Sequence, residues 1–199
     1  MSARAKRAAA CLALAALAGC ATDARIKSAI EEVNREFKAQ YEEILSTQGT
    51  REFRAPAAET FPAVQAALTR LGMRLESRDP ELGYLGFAAP APTPLNDEEW
   101  QMVAKADLPM MQNLAARHIG LPAYFISFEP QGLEIVINAT VIAEGRRSEV
   151  SLTARMRQVK PPPSGMPRRD YAPPTGVRIA LEKIWAEIER ELKVKGRPI

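Results

Sequence analysis

The sequence predicts an α+β domain: an antiparallel sheet of about five to six strands, packed by a short helix on its N-terminal side and a long C-terminal helix, and preceded by an amphipathic tether helix. Three observations carry this. Residues 124–156 contain segments in which apolar side chains fall on every second position: Tyr124, Ile126 and Phe128; Leu133, Ile135, Ile137, Ala139 and Val141; Val150, Leu152, Ala154 and Met156. Tight-turn residues, Gln131-Gly132 and Glu144-Gly145-Arg146-Arg147, separate those segments, as in an antiparallel meander with one solvated face. Residues 23–48 and 175–193 instead repeat their apolar side chains every three or four positions, the period of a helix with one buried stripe.

In chain order, Ile26, Ile30, Val33, Phe37, Tyr41 and Ile44 form the first stripe, which Thr22 or Asp23 would cap and Gln48-Gly49-Thr50 would end. The stripe is narrow, like a coiled-coil seam, and leaves three uses open: self-association or a partner helix through residues 23–48, a stalk, or packing on its own domain. The domain spans residues 51–195, with a short first strand at 52–55. A compact helix follows over 61–71, with Thr60 as cap, Pro62 in the first turn, Val64, Leu68 and Leu71 on one face and Gly72 at its end. Residues 73–76 and 84–87 alternate as strands on either side of the turn Asp79-Pro80-Glu81-Leu82-Gly83.

Residues 88–121 interrupt the pattern. The alternating prolines Pro90, Pro92 and Pro94 predict a stiff extended linker. Asn96 then caps a helix whose first turn carries Asp97, Glu98 and Glu99, three acids that suit the helix dipole better than a metal site. A second helical piece is expected from Pro109 to His118, stopped by Gly120 and Pro122. On the last helix Val177, Leu181, Ile184, Trp185, Ile188 and Leu192 make a broad stripe suited to lying across a sheet. Arg155, Arg157 and Lys160 project from the strand face opposite the core, and Arg168 and Arg169 follow in a Pro-rich loop.

The first 20 residues read as an address. Arg4, Lys6 and Arg7 precede ten apolar residues at 8–17, too few for a permanent span, which needs about 20 in a helix. They lead into Leu17-Ala18-Gly19-Cys20, which resembles the lipobox of a bacterial lipoprotein signal. That resemblance implies a leader over 1–19, processing at Leu17, Ala18 and Gly19, and acylation of Cys20, with residues 20–50 as lipidated cysteine plus tether helix. Several acyl chains, at about 0.8 kcal/mol per buried methylene, hold a protein on a membrane where one does not. Ala21 lacks the acidic side chain associated with inner-membrane retention, so the implied location is the periplasmic face of the outer membrane. The leader also accounts for the whole +3 charge, leaving 24 Lys+Arg against 24 Asp+Glu, and this balance speaks against nucleic acid as a partner. Cys11 leaves with the leader and Cys20 is taken by lipid, so no disulfide is expected.

The order β-α-β-β, insertion, β-β-β, α resembles the helix-grip or TBP-like domain of BamC-type outer-membrane lipoproteins, over roughly residues 51–193 and most clearly in the 61–72 helix, the 79–83 turn and the terminal helix. The long insertion departs from that pattern. The resemblance implies a role in outer-membrane assembly through contacts with an envelope protein, and assigns no binding residue. Catalysis is not expected: His118 is the one histidine, no Gly-x-Ser-x-Gly elbow or Gly-rich phosphate loop occurs, and His/Cys metal clusters fail on count. Glu59, Asp79, Glu129 and Glu134 are the carboxylates that a fold would have to bring together for glycoside chemistry. No cofactor or metal is expected. The function expected is a non-enzymatic interaction module, with candidate partner contacts at Phe37, Tyr41, Trp100, Met110, Met111, Arg155 and Arg157; the alternative is a carrier holding a lipid or other hydrophobic molecule in a cavity between helix and sheet.

Overall fold

The computed structural model describes residues 3–162 and 165–194, with side chains described from Asp23 onward, apart from residues 163 and 164. Its elements are α1 (Ala3–Gln48), β1 (Thr50–Phe53), α2 (Ala57–Arg70), β2 (Arg74–Asp79), β3 (Tyr84–Pro90), α3 (Asp97–Ile119), a 3-10 turn (Leu121–Phe125), β4 (Leu133–Glu144), β5 (Arg147–Gln158) and α4 (Pro174–Val194). The sheet order is β1-β5-β4-β3-β2, and every neighbouring pair is antiparallel. This is the α+β architecture expected, with five strands.

Alternation on β4 and β5 decides which face is covered. Ile135, Ile137, Ala139 and Val141 pair in register with Met156, Ala154, Leu152 and Val150, and all eight are buried. Phe87 and Leu85 on β3 continue that surface, and α2 and α4 cover it with Val64, Leu68, Leu181, Ile184 and Ile188, each at most 0% exposed. Trp185 anchors the far corner: its ring lies 6.1 Å from that of Phe53, and its indole N–H donates to the Gln48 carbonyl at 2.8 Å, joining α4 to the end of α1. Beside it, Arg70 on α2 binds both buried carboxylates of α4, Glu187 at 3.0 Å and Glu191. On the open face Tyr84 donates to Asn138 at 2.9 Å, and Arg157 bonds Glu134 at 2.6 Å, so that face carries polar groups satisfied by one another.

Several local expectations are corrected. Residues 124–128 are not a strand. Both edges of β4 are already taken by β3 and β5, and Pro122 and the positive φ of Gly120 (67°) set the chain into a 3-10 turn instead. The alternating residues there share no face: Tyr124 is exposed, Ile126 half-buried and Phe128 buried. The proline segment is no extended linker: Pro90 ends β3, and residues 91–95 turn back through Thr93 N–H to Pro90 and Leu95 N–H to Pro92. α3 is one helix running through Pro109, with Val103 and Met111 packed on either side of the proline against the cost of about 3 kcal/mol for its missing bond. α2 begins at Ala57 after Pro56, so Thr60 sits in its first turn and not at its cap. The Thr60 hydroxyl is buried 2.7 Å from that of Ser148, which donates to the Ala55 carbonyl and ties β5 to the β1–α2 connection. Asn96 does cap α3, in a reciprocal capping box with Glu99.

Of the three uses left open for residues 23–48, packing on the domain is the one observed. Phe37, Tyr41 and Ile44 are 3%, 4% and 1% exposed, with Tyr41 and Ile44 in the main core. The helix therefore belongs to the domain, not to a separate tether.

Candidate functional site: an apolar groove between α1 and α3

α1 and α3 run antiparallel, and their crossing follows from two small residues. Ala29 and Ala115, 4% and 2% exposed, meet together with Ala123 of the 3-10 turn, which lets the backbones come close. Farther along, Gln40 donates to the Met110 sulfur at 3.2 Å, and Phe37 lies against Leu108 and Met111. At the other end Glu32 takes hydrogen bonds from Arg117 at 2.9 Å and from His118. The His118 bond holds the Glu32 carboxyl below its ordinary value of 4.5; burial opposes this and Arg117 reinforces it. His118 thus serves as an interhelical partner near a helix C-terminus.

Beside this crossing lies a groove of about 370 Å3. Met111, Ala115 and Phe128 are the deeply buried part of its lining, and Ile26, Ile30 and Val33 of α1 face Ile119 and Ile126 across it as half-buried walls. Gln112 fixes the second wall by donating to the carbonyls of Tyr124 and Ile126, at 3.2 and 3.0 Å. Asn34 donates to the Arg168 carbonyl at 2.8 Å and so holds the 165–173 loop, whose Arg169 is one of the few polar groups at the rim. An open cleft of this size with aliphatic walls suits an apolar side-chain row or chain, and offers little to bind a polar small molecule.

The space between sheet and helices is different. The void bounded by Trp100, Ile135, Ala154, Val177 and Ala180 measures about 20 Å3, roughly the room of a single water. A broader recess of about 610 Å3 lies between α2 and the β2–β3 turn, but Arg78 and Glu81 stand in it and Leu82 projects into solvent.

The residues expected to meet a partner divide sharply. Phe37, Tyr41, Trp100 and Met111 are buried, so they build the core and do not offer contact surface; the signal that nominated them, a large side chain at helical spacing, is also the signal of a core position. Met110 is half-buried against Gln40. Arg155 and Arg157 are exposed on the open sheet face, where Glu134 engages Arg157 and lifts its pKa further. Burial raises the pKa of the Tyr41 hydroxyl, with Arg155 opposing. Glu134 and Asp79 sit at opposite ends of the sheet, six rungs apart, or about 20 Å. Glu99 is pushed up by burial, but Lys183 at 2.7 Å and the Asn96 N–H outweigh that and leave it low, as a structural ion pair. Among the described residues no group of three or more His, Cys, Asp or Glu is placed to hold a metal ion, and no helix is long and apolar enough to cross a membrane. Leu17, Ala18, Gly19 and Cys20 lie outside the residues whose side chains are described.

The groove itself was half foreseen. Ile26, Ile30 and Val33 belong to the α1 stripe and Ile126 to an alternation that reads as a strand, but Ala29, Ala115 and Ile119 carry no signal of their own beyond two alanines at helix-crossing positions. No family model, curated protein or solved structure matches the chain.

Proposed function

We propose that the protein is a lipid-anchored, periplasm-facing lipoprotein of the outer membrane that acts as a non-enzymatic interaction module, and that the α1–α3 groove takes an apolar segment of an envelope protein. One observation carries the interaction reading: the void between the helices and the sheet measures only about 20 Å3, while an apolar cleft of about 370 Å3 stands open between α1 and α3. An acyl chain or similar ligand does not fit the interior, which removes the geometric support for a carrier of the helix-grip kind. The lipobox-like Leu17-Ala18-Gly19-Cys20 supports the anchor, and the resemblance in element order to BamC-type domains supports the assembly role.

The test is photo-crosslinking in cells, with a probe at Ile30 in the groove and a control probe at exposed Leu82. The reading expects one envelope protein as the adduct from position 30 and none from position 82, with the adduct lost from a neighbouring groove probe when Ile30→Glu is introduced into a chain that still folds. Adducts with lipid alone, or equal scattered adducts from both positions, would overturn it, lipid alone favouring the carrier.

A further inference from the structure

The most exposed large apolar residues in the described structure include three neighbours on the 3-10 turn: Leu121 at 78%, Tyr124 at 53% and Phe125 at 88%. They are not on a loose loop. Ala123 between them is 0% exposed against Ala29 and Ala115, and Gln112 grips the carbonyls of Tyr124 and Ile126. A rigid base therefore presents a leucine, a phenylalanine and a tyrosine to the outside, an arrangement that needs a low-polarity surrounding. Its position identifies that surrounding. The turn is docked at Ala29, nine residues along α1 from Cys20, so it stands at most about 13 Å along the helix axis from the residue that carries the lipid, and any tilt of α1 brings it nearer the surface. Arg25, exposed, and Arg117, exposed and bonded to Glu32, flank this end of the helix pair.

We infer that Leu121, Tyr124 and Phe125 insert into the headgroup region of the leaflet that holds the acyl chains of Cys20, as a second membrane contact that fixes the orientation of the domain. The inference rests on the lipid-anchor reading above. Apolar and aromatic side chains at the headgroup level are favourable partners of a bilayer surface, and exposed arginines beside them favour anionic lipid. With α1 docked to the domain, two contacts hold the body at a set angle where the acyl chains alone would leave it free to swing.

The test uses the full lipidated chain in vesicles of phosphatidylethanolamine and phosphatidylglycerol. Because the sulfur of Cys20 carries lipid, Phe125→Cys supplies the single free thiol of the mature chain, and Leu82→Cys supplies a control at another exposed site. Each is labelled with an environment-sensitive fluorophore and exposed to lipid-borne nitroxide. Quenching roughly threefold greater at 125 than at 82 is expected for a side chain at headgroup depth. Equal, weak quenching at both positions, with Cys20 acylated by mass spectrometry, overturns the membrane contact and leaves the anchor standing. A concentration-dependent emission shift that ignores the lipid quencher assigns the patch to a second copy of the chain and also overturns it. An unacylated Cys20 overturns the anchor reading and this inference together.

Discussion

The sheet with α2 and α4, and the pair α1–α3 with its 3-10 turn, solve the same packing problem to different degrees. In the first, branched and aromatic side chains from strand and helix interlock around a void of only about 20 Å3, and the exposed Arg70 closes the margin by binding the buried carboxylate of Glu187. In the second, alanines set the closest approach, and beside that crossing about 370 Å3 stays open. The difference teaches where stability and recognition reside. A filled interior gives free energy in proportion to area removed from water, whereas an unfilled cleft leaves apolar area for another molecule to cover.

Substitutions that separate the two regions sharpen this contrast. The largest effect is expected for Trp185→Ala, which empties the corner shared by Phe53, Arg51 and the end of α1: about 3–5 kcal/mol in urea unfolding, a large part of a total near 5–15 kcal/mol. Met111→Ala, at the border of the open groove, should cost about 2 kcal/mol, at the low end for such truncations because one side of the new space already opens to solvent. Equal losses from the two would erase the distinction drawn here. A smaller and local effect is expected from pH. The Glu32 carboxyl titrates lower in the folded chain than in the unfolded one, so its contribution is complete above pH 4.5 and is lost as pH falls through the lower folded value. Hydrogen exchange in residues 26–34 should therefore accelerate under acid before that of β4, and Glu32→Gln should remove this difference in onset. Arg157→Ala on the open face should change stability by no more than about 0.5 kcal/mol, since its guanidinium is exposed and Arg74 remains to pair Glu134 and Glu76.

The same two regions differ in how far they could be read from residues. β4, β5 and α4 each carry a pattern matched to one period, over 133–141, 150–156 and 177–192, and those elements lie where the pattern puts them. Residues 124–128 carry a period of two without forming a ladder: whether a short apolar run becomes a strand depends on a free neighbouring edge, and β4 has none. Pro109 misled in the opposite direction, because a local penalty was offset by tertiary packing on both sides of it. Of the groove, one wall was legible in the α1 stripe. The other depends on how α3 crosses α1, which is set by Ala29, Ala115 and the hydrogen bonds of Glu32, contacts spanning about 85 residues of sequence. Phe37 and Tyr41 were nominated for a partner by a pattern that proved to serve the chain's own core.

The docking of α1 also sets a leash. On the anchoring proposed above, the nine residues from Cys20 to Ala29 are the whole connection between lipid and docked helix, and as part of α1 they span about 13 Å. If that anchoring holds, the domain stays within a helix turn or two of the bilayer on a short, stiff lead, and whatever occupies its groove must itself come to the membrane.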